Sequence, residues 1–430
     1  MTSPNLICKR IKEVRRERGL SQAQLAHPEL SDSYISLIES GSRVPTPAVL
    51  ELLATKLGCS VSYLLHGVTA EQMEELELAL RYARMALENG ETEEARQRYS
   101  ELLDDENLVS LTTLRQDAEF GSALANEACG DLGAAILILV RLREAESDET
   151  STERHIAIIL ALIRCYAANS QLGLAVEIGE HTMSELIGRG WTEDLVQLGA
   201  MLLHIYYERG DLLRAQHFAR ELMAAAEALG SPRAIVAAHW NAATTAHLAG
   251  RGEEAVPLAE RALAIQSETG GPRNLARLRA NYALLKLRNR PTESADCRDL
   301  LLRCEQEFRE SAASTIDLAL CLQSLARAEI NLSHVEKAIE YGHRCLELLE
   351  ENCPDIRADT LVLLGQANLM LGHEVDAAAD VKAAMELLAE EPLSRMTAES
   401  WLMVAAVLEG LGDLEGSVTA YGRAMACGGL

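Results

Sequence analysis

Through most of this 430-residue chain a short motif returns at a nearly fixed interval, and that interval limits the possible folds more than anything else. Its best copies run Gly90-Glu91 to Ala95, Gly130-Asp131 to Ala135, Gly210-Asp211 to Ala215 and Gly250-Arg251 to Ala255. Weaker copies open at Ser170, Arg290, Ser333, Gly372 and Gly412. The small residue that closes each copy stands at 95, 135, 175, 215, 255, 295, 338, 377 and 417. The separations are 40, 40, 40, 40, 40, 43, 39 and 40 residues. A fixed period of this length is the mark of stacked supersecondary units. The glycine suits a left-handed residue in the turn between two antiparallel helices. The alanine suits the point where the second helix crosses the first. A matching small residue lies about twelve positions earlier in Ala83, Ala123, Ala243, Ala283, Ala326, Gly365 and Ala405. Ile163 and Leu203 break that pattern, so the third and fourth hairpins are expected to pack more loosely. Composition agrees with helices. The chain is 48 % apolar but only 4 % aromatic, so its core must be built from Ala and Leu, which favour helices over strands. The expectation is an all-α fold with about nine helical hairpins.

The first seventy residues lie outside the repeat and differ in charge. They hold eight basic residues (Lys9, Arg10, Lys12, Arg15, Arg16, Arg18, Arg43, Lys56) and six acidic ones, a balance of +2. The whole chain carries −25, so the remainder carries −27. A strongly acidic protein is a poor binder of phosphate backbones, but a small basic module on an acidic body is not. Five short helices can be read here. Ile7, Ile11 and Val14 share one face of a first helix that stops at Gly19. Ser21 and Gln24 have the spacing of a capping box for a second. Ser31 can cap a third, with Ile35 and Ile38 inward and Gly41 at its end. Thr46-Pro47 opens a fourth, with Leu50, Leu53 and Leu57 as its core stripe. Ser60 begins a fifth, which carries Leu64 and Leu65.

The segments RIKEVRRERGLSQAQLA and LSDSYISLIESGSRVPTPAVLELLATKLGCSVSYLL resemble the Xre/phage-repressor family of helix-turn-helix domains, over about Leu6 to Gly67. The resemblance implies that the third helix enters the major groove, with Asp32, Ser33 and Leu37 at base-reading positions and Ser31, Tyr34 and Ser36 beside them. Asp32 could accept from a cytosine amino group and Leu37 could pack on a thymine methyl. Neither serine discriminates strongly, so readout is expected to rest partly on DNA shape. Gln22, Ser40 and Arg43 match backbone-contacting positions, which set register rather than sequence. Arg15 and Glu39 match a family pair that locks the first helix to the third.

The repeats resemble tetratricopeptide repeats, though their period is longer. The resemblance implies domains at 1–67 and 68–430, the second a right-handed α-solenoid whose first helices line a concave face. Carried over by position, the inward residues are Arg164, His204, Tyr207, Trp240, Asn241, Thr244, His247, Arg277, Asn281, Gln323, Arg327 and Gln366. Asn241 and Asn281 stand one repeat apart, a spacing suited to hydrogen-bonding an extended peptide. The arginines could hold carboxylates. The two-domain order resembles the Gram-positive quorum-sensing regulators. That likeness implies a cytoplasmic homodimer that binds double-stranded operator DNA and a short peptide. Other readings are a small metabolite as ligand, a recruited protein partner, or a scaffold with a vestigial DNA domain.

Catalytic motifs are missing from the sequence. It has no phosphate-binding glycine loop, no H-E-x-x-H and no G-x-S-x-G. The histidines follow no ligand spacing, and the ten cysteines form no C-x-x-C pair, so neither metal nor cofactor is expected. Cys297 and Cys304, seven apart, read as buried thiols. No apolar run is long enough to span a bilayer.

Overall fold

The computed structural model describes residues 4–147, 150–269, 272–310, 315–350, 353–391 and 393–428, which form 23 α-helices and no strand. The chain divides into two compact units, Met1–Thr150 and Ser151–Leu430. The division falls within the repeat array, after its second hairpin.

The first unit opens with α1 (Pro4–Glu17), α2 (Gln22–Ala26), α3 (Asp32–Glu39), α4 (Pro47–Leu57) and α5 (Val61–His66). Ile7, Ile11, Val14, Leu25, Ile35, Ile38, Leu50, Leu53, Leu57 and Leu64 meet in one core. Each such side chain contributes about 1.5–3 kcal/mol when fully buried. The helix starts are those the sequence marks. Ser21 and Gln24 form a reciprocal capping box. Ser31 accepts from the Tyr34 amide, and Ser60 from that of Tyr63. Thr46 precedes Pro47 without a side-chain cap.

Two hairpins complete the first unit: α6 (Ala70–Glu88) with α7 (Thr92–Leu103), and α8 (Thr112–Ala128) with α9 (Leu132–Glu144). The second unit holds seven more. They are α10 (Thr152–Ala168) with α11 (Leu172–Leu186), α12 (Glu193–Arg209) with α13 (Leu212–Leu229), and α14 (Pro232–Leu248) with α15 (Gly252–Thr269). Next come α16 (Pro272–Asn289) with α17 (Ser294–Glu310) and α18 (Thr315–Asn331) with α19 (Val335–Leu349). The last are α20 (Pro354–Met370) with α21 (Glu374–Glu390) and α22 (Arg395–Gly410) with α23 (Leu414–Gly428). No helix among the described residues is long and apolar enough to cross a membrane.

The turn residue of each hairpin explains the motif. Gly90 and Gly250 sit at φ +84° and +75°. Ser170 and Ser333, which replace glycine in their copies, are forced to +57° and +61°, a region that costs a residue with a Cβ about 1 kcal/mol. Arg290 escapes it. Its φ is −135°, and a 3₁₀ turn over Pro291–Glu293 makes the connection instead. That turn shifts the register by one residue. Ala295, expected at the crossing, is exposed. Ser294 takes its place at 1 % exposure, donating to the Pro291 carbonyl at 2.6 Å and accepting from Asn331 at 3.0 Å. The other eight small residues of the series are buried.

Helices α10/α11 and α12/α13, where Ile163 and Leu203 stand at the crossing, approach over fewer residues than α14/α15, α18/α19 or α20/α21. The wider spacing is filled: both side chains are fully buried, and Gly179 of α11 makes room beside Ile163. An alanine is not sufficient for close approach, since α6/α7, α8/α9 and α16/α17 are also more widely spaced.

A tighter contact lies in the first unit. A Cβ placed on Gly121 of α8 would fall 2.3 Å from the ring of Tyr99, which is buried on α7. Gly121→Ala is expected to cost about 1–3 kcal/mol, because the ring must leave its rotamer. Thermal unfolding of the variant checks this, and a melting profile equal to the parent's would refute it. Cys297 and Cys304 are both buried on α17, and burial pushes each thiol up to about 11.

Candidate nucleic-acid interface and ligand face

Helix α3 is fixed from its inner side. Arg15 of α1 donates to both Glu39 carboxylate oxygens, at 2.5 and 2.9 Å, and to the Leu20 carbonyl at 2.6 Å. The side chains of this pair are only 10 % and 3 % exposed. Gln22 of α2 adds a bond to Glu39 Oε2 at 2.9 Å. Burial alone would raise the Glu39 pKa, but the bonds from Arg15 and Gln22 prevail and hold it below the usual carboxylate range. One carboxylate thus ties three helices together.

The outer side of α3 is left open. Asp32, Ser33, Ser36 and Leu37 are exposed, Leu37 at 44 %. Asp32 faces the His27 ring at 3.4 Å. The Arg43 guanidinium stacks 4.8 Å from the centre of the Tyr34 ring. The Ser40 hydroxyl donates to the Leu37 carbonyl at 3.0 Å and lies 2.9 Å from Ser42 Oγ. Of the three candidate backbone contacts, Gln22 is the one tied to the buried Arg15–Glu39 pair. The sequence pattern showed none of this last bond, because Gln22 and Glu39 are seventeen residues apart.

In the second unit the first helices of successive hairpins form two polar areas. One is a recess of about 580 Å³ walled by Gln197, Ala237, Trp240, Asn241, Asn274 and Leu278, among others. Asn241 donates to its own helix at the Ala237 carbonyl, 2.9 Å away, and Thr244 to the Trp240 carbonyl at 3.1 Å. Asn281 is part-buried on α16 but does not line the recess; Asn274, two helical turns earlier, does. Arg277 is held by Asp317 through two bonds of 2.8 and 2.7 Å. Gln323 is buried, donating to the Ile356 carbonyl and to Thr360 Oγ1 at 3.1 Å each. Arg164 and Gln366 are half-buried on α10 and α20.

The other area gathers residues far apart in sequence. Arg288 Nη1 donates to Glu399 Oε2 at 2.7 Å. The Arg395 amide, at the start of α22, donates to Glu208 Oε2 at 3.3 Å, and its guanidinium lies 6.0 Å from the Tyr207 ring. Arg327 Nη2 meets Met403 Sδ at 3.5 Å. Ser400 donates to Asp359 Oδ1 at 2.5 Å. His247 Nδ1 pairs with the Asn289 amide at 3.1 Å. Burial lowers the pKa of His204, His247 and Arg327 and raises those of Glu208 and Asp359. Of this group, position in the repeat singles out His204, Tyr207, His247 and Arg327. Glu208, Arg288, Asp359, Arg395 and Glu399 carry no sequence signal, because their partners lie up to 187 residues away.

Residues 11–64 match the family model for helix-turn-helix domains. No curated protein matches the chain. Among solved structures, the chain is similar to a Rap protein complexed with competence and sporulation factor. The TM-score is 0.52 at 13 % identity, over 82 % of this chain and 98 % of that one. It is similar to the apo form of the quorum sensor NprR from B. thuringiensis, at a TM-score of 0.51 and 14 % identity, over 82 % and 99 %. It is also similar to apo RapI, at 0.52 and 15 %, over 82 % and 97 %. At such identities the likeness is one of fold. The chain therefore joins an N-terminal helix-turn-helix DNA-binding domain to a TPR-like helical array of the fold those proteins share.

Proposed function

We propose that this chain is a sequence-specific transcriptional regulator whose helical array senses a signal, a short peptide first, and adjusts operator binding by a cytoplasmic homodimer. The observation that carries the DNA half is α3, pinned inside by Arg15 and Glu39 and presenting Asp32, Ser33 and Leu37 outside. Such a helix docks its N-terminal residues on base edges while neighbouring side chains grip phosphates. In this reading Ser31, Tyr34 and Ser36 flank the readout, and Gln22, Ser40 and Arg43 set register. A homodimer places two such helices about 34 Å apart on a palindrome.

The sensing half draws on the recess and on the proteins whose fold this array shares. One of these proteins is complexed with competence and sporulation factor, and another is called a quorum sensor. Asn241 lines the recess, and its amide nitrogen donates to its own helix at the Ala237 carbonyl. With Asn274 and Gln197 it offers amides that can both donate and accept, as a peptide backbone requires.

The test is selection of genomic fragments by the full chain at physiological salt, with and without extract from the producing cells. A palindromic site whose recovery changes with extract supports the reading; no enriched site under either condition refutes it. Asn241→Ala with Asn274→Ala, both in the recess wall, is expected to abolish the extract response and leave fragment recovery unchanged. Loss of both properties would mean that the array had failed to fold.

A further inference from the structure

In a helical solenoid each repeat touches only its neighbours. Here the ninth hairpin reaches across to the fourth, sixth and seventh. Arg395, Glu399 and Met403 stand four residues apart, so they form one stripe along α22. The Arg395 main-chain amide meets Glu208 of α12, with its guanidinium near Tyr207, while the Glu399 and Met403 side chains meet Arg288 of α16 and Arg327 of α18. Ser400 adds Asp359 of α20. The inner face is thus spanned by the chain's own side chains.

The match is poor for the two arginines. Glu399 satisfies Arg288 at Nη1 only, and the buried Nε of Arg288 has no hydrogen-bond partner among the described residues. A carboxylate set squarely on a guanidinium would take both nitrogens. Arg327 receives a thioether, a weak acceptor, and no carboxylate among the described residues lies within ion-pair distance of it. Arg288, Glu399 and Asp359 are the charges that bear on it, and Asp359 is turned to Ser400. His247 Nε2, close enough to feel both Arg288 and Glu399, is buried and likewise unpaired. Glu399 itself keeps 39 % of its side chain in solvent, so it can be displaced.

We infer that Arg288 and Arg327 form a carboxylate-binding site in which Glu399 is a built-in stand-in, and that a carboxylate-bearing ligand binds by displacing α22. This rests on the sensing role proposed above and names the chemistry recognised. The ligand carboxylate bridges the two guanidiniums, taking Nε of Arg288 as well as Nη1. Displacement frees the stripe of α22 from α12, α16 and α18, so that occupancy is coupled to the curvature of the array. The carboxylate could be the free end of a peptide or a group on a small metabolite.

The experiment separates these sources on the full chain. Thermal shift is measured with a mixture of pentapeptide free acids, with the same mixture amidated at its C-termini, and with acetate, succinate and citrate. The expected result is stabilisation by the free acids and not the amides, or by the small carboxylates. Glu399→Gln, which weakens the stand-in while keeping its shape, is expected to raise the responding probe's affinity roughly tenfold. Arg327→Gln and Arg288→Gln are each expected to lower it by about tenfold or more. Stabilisation by none of the probes, or an affinity unmoved by Glu399→Gln, overturns the inference even if the arginine variants fold badly. If cell extract still alters operator recovery in that case, only the carboxylate site falls; if it does not, the sensing role falls as well.

Discussion

Replacing Asp32, Ser33 and Leu37 together by alanine is expected to reduce specific operator binding by roughly 10²–10⁶-fold, at about 1–3 kcal/mol for each lost base contact. The folded domain should survive. All three side chains are exposed, the core residues Ile35 and Ile38 are untouched, and the Ser31 cap remains. Asp32 lies in the first turn of α3, so its loss removes a favourable interaction with the helix dipole, about 0.3–1 kcal/mol. Non-specific binding and its salt slope should hardly change, because the basic residues that neutralise phosphates stay in place. Fluorescence anisotropy on the selected operator and on a scrambled duplex, across a salt series, measures both. An unchanged ratio of the two affinities would show that sequence is read elsewhere, by shape or by another element.

Glu39→Ala is expected to destabilise the helix-turn-helix domain by about 3–5 kcal/mol, since it leaves the Arg15 charge buried and unpaired. It also removes the acceptor of Gln22, loosening α2 from α3. Native-state hydrogen exchange in the full chain is the right readout, because it reports the amides of Ile11, Ile35 and Ile38 separately from the array. Protection at these amides should fall by several orders of magnitude, with DNA binding lost in parallel. Changing both partners to apolar residues, Arg15→Met with Glu39→Leu, should recover most of the stability. The pH dependence has a definite sign. Glu39 titrates lower in the folded state than its ordinary 4.5, so its contribution is complete above that value and is lost as pH falls through the folded pKa. Glu39→Ala should therefore lack this acid-limb loss. Exchange protection equal to the parent's would mean that the pair does not hold the domain.

The difference between these two groups of residues explains what could be read early. Helix starts, turn residues and crossing points are set by chemistry within a few residues, so Ser21, Ser31, Gly90 and Gly250 declare themselves. Even serine at 170 and 333 obeys the turn's demand for positive φ. The register at Ala295 fails for a local reason as well: Pro291 starts a 3₁₀ turn where the other copies use a left-handed residue. The buried state of the eight remaining small residues follows from the period alone.

The inner face is a different kind of problem. Each hairpin adds a small rotation to the one before, and only the sum over several hairpins brings α22 against α12, α16 and α18. Position in the repeat could place Arg327 and His247 on first helices, yet it gave no means of pairing Arg288 with Glu399 across 111 residues. The same limit left Gln323 and Arg277 among the inward residues, although the structure gives both close partners in the neighbouring hairpin. Sequence by itself determined the hairpin, its period and the helix-turn-helix module, because those rest on short-range sterics and capping. Only the tertiary structure decided which charges meet, because accumulated curvature is a property of the stacked array and of no single repeat.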